Sequence, residues 1–259
     1  EIIRLGGNVS KGSFETSGKV ALAGTTLKDF AVELTGNHIA VKNVVDSLAF
    51  TVSPRIRVAG SLREQRVTGE IMVNQALYTK ELDLKSVIGN KNRNISLVLP
   101  GSEKQAKSTL LLDVVVKAPK DIRFKNKFAD IEIRANALRI QGEPTKPRIE
   151  GRVEVAKGKI VFGDVQYDIL SAVFDLLDPS RLNPEMNVQA QTKIQDYLIT
   201  LQIEGNLDQF ALTMNSEPPL SDSEIARLLA IGSGSAANAS NLVLKPIQTI
   251  MEGQLEQAL

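Results

Sequence analysis

The sequence has no cysteine, no tryptophan and one histidine, and its aromatic side chains are eight Phe and three Tyr in 259 residues. Without thiols there is no disulfide framework, no thiolate metal centre and no cysteine nucleophile. A single imidazole excludes a histidine zinc cluster. His38 stands beside Asn37 with no Cys, Asp or Glu at ligand spacing, the setting of a solitary loop or strand residue. An excess of one charge is also missing: 31 Lys+Arg against 30 Asp+Glu leave +1, too little to neutralise a phosphate backbone. Few rings remain for base stacking, so a nucleic-acid partner is not expected. No apolar run approaches the roughly 18 residues of a membrane-spanning helix. The chain starts where a strand pattern is already running and stops inside the apolar-periodic stretch Met251–Leu259, so a piece of a longer protein is expected.

What is present is alternation with period two. Ile131, Ile133 and Ala135 alternate with Glu132, Arg134 and Asn136, and Val153 and Val155 with Arg152 and Glu154. Val188, Ala190 and Ile194 alternate with Gln189, Gln191 and Lys193; Ile199, Leu201 and Ile203 with Thr200, Gln202 and Glu204; Leu212 and Met214 with Thr213 and Asn215. This period gives each strand one apolar and one wet face. Weaker versions cover Phe30–Leu34, Ile56–Val58, Val67–Val73, Ile95–Leu99 and Leu110–Val116. The spacing predicts roughly 16–22 short strands of about 5–6 residues, and the absence of a strand–helix–strand rhythm excludes an α/β fold.

An internal echo accompanies the strands. Val58-Ala59-Gly60 followed by Val67-Thr68-Gly69 matches Ile140-Gln141-Gly142 followed by Ile149-Glu150-Gly151, with the same glycine separation and an Arg before the apolar residue in both, Arg66 and Arg148. Each unit reads as strand, turn, strand, although chance resemblance between amphipathic strands gives similar patterns. A helix is predicted late, where Ser221-Asp222-Ser223-Glu224 has capping-box spacing, Ile225, Leu228 and Leu229 share one face, and Gly232 ends the run. A small-residue linker follows, then a second amphipathic helix carrying Leu244, Ile247, Met251 and Leu255. The division expected is 1–109 for a repeated-hairpin part, 110–217 for a second β part, and 218–259 for the helices and linker.

Catalytic patterns are scarce. Gly12–Lys19 has the wrong spacing for a phosphate loop, with Val20 where Ser or Thr is required. Asp164, Asp168, Asp175 and Asp178 form an acidic region, but Asp164 and Asp168 would share a strand face and no calcium-loop spacing exists, so solvated face and turn positions are the better reading. There is no Ser-x-x-Lys or Gly-x-Ser-x-Gly motif. No enzyme activity, metal or cofactor is expected.

Five segments in order resemble a known family. They are Pro147-Arg148-Ile149-Glu150-Gly151 through Val155; Gly158-Lys159-Ile160-Val161-Phe162; Phe174-Asp175-Leu176-Leu177-Asp178-Pro179 with Asn183-Pro184; Tyr197 to Gly205; and Ser216-Glu217-Pro218-Pro219-Leu220-Ser221 followed by Ile225 to Gly232. This ordered set is similar to the C-terminal domain of the TamB family, the translocation and assembly module proteins among the AsmA-like bridge-type proteins. One departure is Ser171-Ala172-Val173, where the family has Gly-x-hydrophobic. The resemblance implies a trough-like sheet in the periplasm, an inner-membrane anchor outside this chain, and an Omp85-type outer-membrane partner. It also implies one of two roles, assembly of outer-membrane proteins and autotransporters or movement of phospholipid between the membranes.

The fold expected is therefore all-β: a long, curled, antiparallel-type sheet forming a groove with an apolar interior, plus one or two short C-terminal helices. About 18 strands would run on the order of 85 Å. The groove would be lined by Leu112, Val114, Ile131, Ile133, Val153, Val155, Ala190, Ile194, Ile199, Leu201, Ile203, Leu212 and Met214. Its clients would be phospholipid acyl chains or unfolded β-strands, the latter pairing at a sheet edge. Ile225, Leu228 and Leu229 would cap the sheet or dock a partner. A closed solenoid or sandwich with a dry core is the alternative, and periodicity alone does not separate the two.

Overall fold

A computed structural model describes residues 2–9, 11–24, 26–45, 47–79, 109–162, 165–177, 183–206 and 208–232. They form one 13-stranded sheet. Its strands are β1 (Ile2–Val9), β2 (Gly12–Ala23), β3 (Thr26–Asn37), β4 (Ile39–Val45), β5 (Leu48–Gly60), β6 (Glu64–Tyr78) and β7 (Thr109–Lys125), followed by β8 (Ala129–Glu143), β9 (Lys146–Phe162), β10 (Val165–Leu176), β11 (Glu185–Ile194), β12 (Tyr197–Gly205) and β13 (Phe210–Glu217). One helix, α1 (Asp222–Gly232), follows. The predicted strand Ile95–Leu99 and the second helix at 244–255 lie outside the described residues.

Sheet order follows chain order, because nearly every connection is a hairpin. The exception to antiparallel pairing is β6–β7, whose parallel register sets Glu64 beside Thr109 and Tyr78 beside Phe124. The sheet runs without a break across positions 109–110. β1 and β13 end the path and do not pair with each other. The sheet is thus an open, curled trough rather than a barrel or sandwich.

Among the described residues the strands are fewer and longer than predicted: β7 and β9 have 17 residues each. Twelve strands side by side along the path at about 4.8 Å give roughly 50 Å, not 85 Å. The reason lies in mid-strand irregularities that resemble turns in sequence. Register shifts fall at Thr51/Val52 of β5, Met72/Ala76 of β6, Ala118/Ile122 of β7, Arg134/Leu138 of β8 and Ile169/Ser171 of β10. β3 and β4 lie end to end along β5, with Thr35 opposite Arg55 and Ile39 opposite Val52. The break between them is opposite Pro54, which has no amide to donate, and His38 takes a φ of 51° there. Its backbone N–H donates to the Ser53 hydroxyl at 3.0 Å, which in turn donates to Asn74 Oδ1 at 2.8 Å.

These shifts line up from strand to strand as a seam. A bulge bends its strand and increases local twist, so aligned bulges fold the sheet along one line. Small residues occupy the seam, where the inside of the bend leaves least room: Pro54, Ala118, Ala135 and Ala172 are all buried. Ser171, the departure from the family pattern, borders the shift in β10.

Both copies of the internal echo form hairpins, β5–β6 and β8–β9. Their second glycines, Gly69 and Gly151, have φ of 128° and 132°. A Cβ would run into the Arg55 carbonyl oxygen at Gly69 and that of Ala137 at Gly151. Gly69→Ala and Gly151→Ala are each expected to destabilise the fold by about 1–3 kcal/mol, read as a lower urea midpoint. Gly7→Ala, where only the Phe14 ring approaches, at 3.3 Å, should shift far less. Equal midpoints for the three variants would refute this account.

Candidate functional site

Register assigns each paired residue to a face, since directly opposed residues share one. Following the pairs from β5, Val58 faces Val67, Val67 faces Leu112 and Leu112 faces Gly142. In the next row Val114 faces Ile140, which faces Ile149. Beyond the seam Ile133 faces Val155, and Val155 faces Ala172. Further rows run Val153–Phe174–Met186–Gly205–Phe210 and Ile169–Ala190–Leu201–Met214. On the N-terminal side the same face holds Leu5, Phe14, Val32, Leu34 and Ile56. No Asp, Glu, Lys or Arg occupies this face at the paired positions of the described strands from β1 to β13.

The face is only half covered. Few of its side chains are fully buried, and Leu5 is 60% and Phe210 38% exposed. The rare rings collect here too: Phe30, Phe50, Tyr78, Phe124, Tyr197 and Phe210 join the aliphatics, and the Tyr78 and Phe124 rings tilt together at 5.5 Å. The lining is therefore less purely aliphatic than composition implied.

Charge is confined to the opposite face. Arg123 grips Asp130 through two bonds of 2.6 Å, Arg152 grips Asp175 at 2.7 and 2.9 Å, and Arg139 holds Asp113 at 3.0 and 3.3 Å. Lys117–Glu70 at 2.6 Å and Lys157–Glu132 at 3.1 Å continue the pattern. Hydrogen bonds from Arg139, Arg123 and Arg152 hold the carboxyls of Asp113, Asp130 and Asp175 below the usual carboxylate range. Of the acidic region, Asp175 is thus committed to Arg152 and Asp168 lies 3.6 Å from Lys159; Asp164 and Asp178 fall outside the described residues. Among the described residues no three His, Asp or Glu stand close enough to hold a metal.

Helix α1 enters the trough at its C-terminal end. Ile225 (0% exposed) and Leu229 (3%) pack on Val165, Tyr167, Ala190, Ile199 and Met214, with Leu228 and Leu220 at the margin. Burial pushes the Tyr167 phenol up to about 12. The cap differs from the predicted box in one half. Glu224 reaches back to accept from the Ser221 N–H at 2.8 Å, but the Ser221 hydroxyl donates to the same carboxylate at 2.7 Å instead of accepting an amide.

All thirteen residues named from the sequence as groove lining fall on the charge-free face by register. They are not equivalent, because α1 covers Ala190, Ile199 and Met214, while Leu112, Ile131, Ile133, Val153, Val155 and Ile203 stay half-buried. Ile225 and Leu229 face the sheet and present no free docking surface. Sequence reasoning named no lining residue before Leu110, although the alternation at 56–58 and 67–73 marks Ile56, Val58, Val67 and Ile71 as continuing the face. Of the seam alanines, Ala135 stands in the alternation read from the sequence, whereas Ala118 and Ala172 are not singled out by it.

Hydrogen bonds from Ser221 hold the Glu224 carboxyl below the ordinary glutamate value. A lowered folded-state value means the cap contributes above the unfolded pKa and is lost as pH falls through the folded one. Amide-exchange protection of Ile225–Leu229 should therefore fall on acidification below the ordinary glutamate value. In Glu224→Gln it should be weaker at neutral pH and lose that dependence; an identical acid profile in the variant would refute the role.

The sequence has a family counterpart. No curated protein matches the chain. The TamB C-terminal domain model matches residues 4–259, nearly the whole sequence and every strand that builds the charge-free face except the first two residues of β1. The chain belongs to the TamB C-terminal domain family.

Proposed function

We propose that this chain serves outer-membrane assembly as a periplasmic track, on which phospholipid acyl chains travel between the inner and outer membranes. An Omp85-type protein would receive it at the outer membrane, with the inner-membrane anchor supplied elsewhere. No helix among the described residues is long and apolar enough to cross a membrane. The observation that carries the reading is the charge-free face running from β1 to β13 and left half-exposed. Large open apolar surfaces of this kind mark ligand or partner sites. Each buried CH₂ gains about 0.8 kcal/mol with no directional preference, so a chain is held along the trough yet has no fixed stop. Among the described strands no Asp, Glu, Lys or Arg stands at the paired positions of this face, so an acyl chain meets mainly apolar contacts there.

A charge in the lining should interrupt the track. Val153→Asp and Ile131→Asp each deny contact to a few methylenes, about 3 kcal/mol, or on the order of a hundredfold in retained lipid. Glu154→Gln, on the outer face, should retain lipid normally. The measurement is mass spectrometry of organic extracts from protein purified out of membrane-containing lysate, with thermal unfolding as a folding control. Wild-type lipid retention in folded Asp variants would sink the proposal.

A second reading has one observation in its favour: no described strand pairs with the outer edge of β13. An open edge accepts a client strand through its backbone, so the same edge suits an unfolded barrel strand. Asp variants that lose lipid but still bind an unfolded outer-membrane strand peptide would favour this reading.

A further inference from the structure

We propose that α1 is a displaceable plug, competing with acyl chains for the β10–β13 end of the trough; this rests on the acyl-track reading above. The helix already occupies the kind of surface a lipid would take. Its seat is mainly aliphatic, with Tyr167 in it and Tyr197 at its margin, and its anchors Ile225 and Leu229 are branched hydrocarbons. An acyl chain in the same place would exchange one apolar filling for another.

The grip on the seat is limited. α1 has 11 residues, below the roughly 12–15 at which an isolated helix becomes even marginal in water, so it depends on docking to persist. Its cap is exposed and rests on the Ser221–Glu224 pair. The seat covers only part of the width of the trough. Phe174, Met186, Val188, Ile203 and Phe210 share the same face but lie outside the packed cluster, and Phe210 is 38% exposed. An acyl chain moving along this open lane reaches the side of α1 without leaving apolar surface. The plug thus sets how much of the last four strands a lipid can use.

Because the sequence has no cysteine, an introduced thiol is unique. Ala226, 8% exposed, reports from the helix, and Met214, 9% exposed, from the sheet beneath it. Ala226→Cys and Met214→Cys should both react slowly with a maleimide in the lipid-free full chain. On incubation with phosphatidylethanolamine–phosphatidylglycerol vesicles, Ala226→Cys should react at least about tenfold faster. Met214→Cys should stay slow, because lipid takes the place of the helix. Lipid retained with Ala226→Cys unchanged would make α1 a fixed end wall and overturn the proposal. Acceleration at both sites would mean that the sheet end opens, which also overturns it. No retained lipid would overturn the acyl-track reading and the plug together. Leu229→Asp, which undocks the helix, should retain severalfold more lipid than wild type, and equal retention would count against the plug.

Discussion

The structure depends on register. A strand has two faces, and a slip of one residue exchanges them. In this sheet the exchange would place Arg123, Asp130, Arg139 and Arg152 where Phe124, Ile131, Ile140 and Val153 now sit. Exposed ion pairs contribute little stability each. Their larger effect is to make wrong registers expensive, since a slipped pair would bring charge onto an apolar surface without guaranteed partners. The bidentate Arg–Asp grips on neighbouring strands therefore protect the chemistry of the opposite face. The outer ladder keeps the trough free of charge without touching anything in it.

Curvature is a separate problem with a separate solution. A flat sheet of this width would offer a plane, not a trough. The aligned shifts in β5 to β10 bend each long strand near its middle, and the alanines at 118, 135 and 172 let the inner face close up there. The seam also explains the length of the strands, because each one crosses the bend and contributes to both walls. A sheet built this way has little core of its own. Most strands touch only their neighbours, so its stability is close to a sum of hairpin and nearest-neighbour terms. Dense packing occurs where α1 meets β10–β13.

Much of this was legible in the sequence, and the rest was hidden for physical reasons. Period-two alternation is a local property, so it placed Leu112 through Met214 on one face and the intervening charges on the other. The cap residues likewise marked the start of α1. Strand number is hidden because Pro119, Asp121 and Asn136 are turn formers in any local reading, and only their alignment across strands makes them a seam. The parallel β6–β7 pair is a matter of topology, which alternation does not encode. Nor does the amphipathic face of α1 say which strands it meets, so Ala190, Ile199 and Met214 looked equivalent to Val153 and Ile203.

The missing reactive groups take on meaning from this arrangement. A site that recognises one ligand places a few polar groups at fixed points, and those points become stopping places. Here the face repeats similar Val, Ile and Leu contacts strand after strand, so one position is worth nearly as much as the next. Translation along the sheet then carries a small cost, while departure into water costs the whole buried length of chain. On the proposed track, that inequality would let a passive surface guide an apolar ligand without fixing it. It holds only while every inner position stays uncharged, and for that reason the least reactive part of the sequence is the part most constrained.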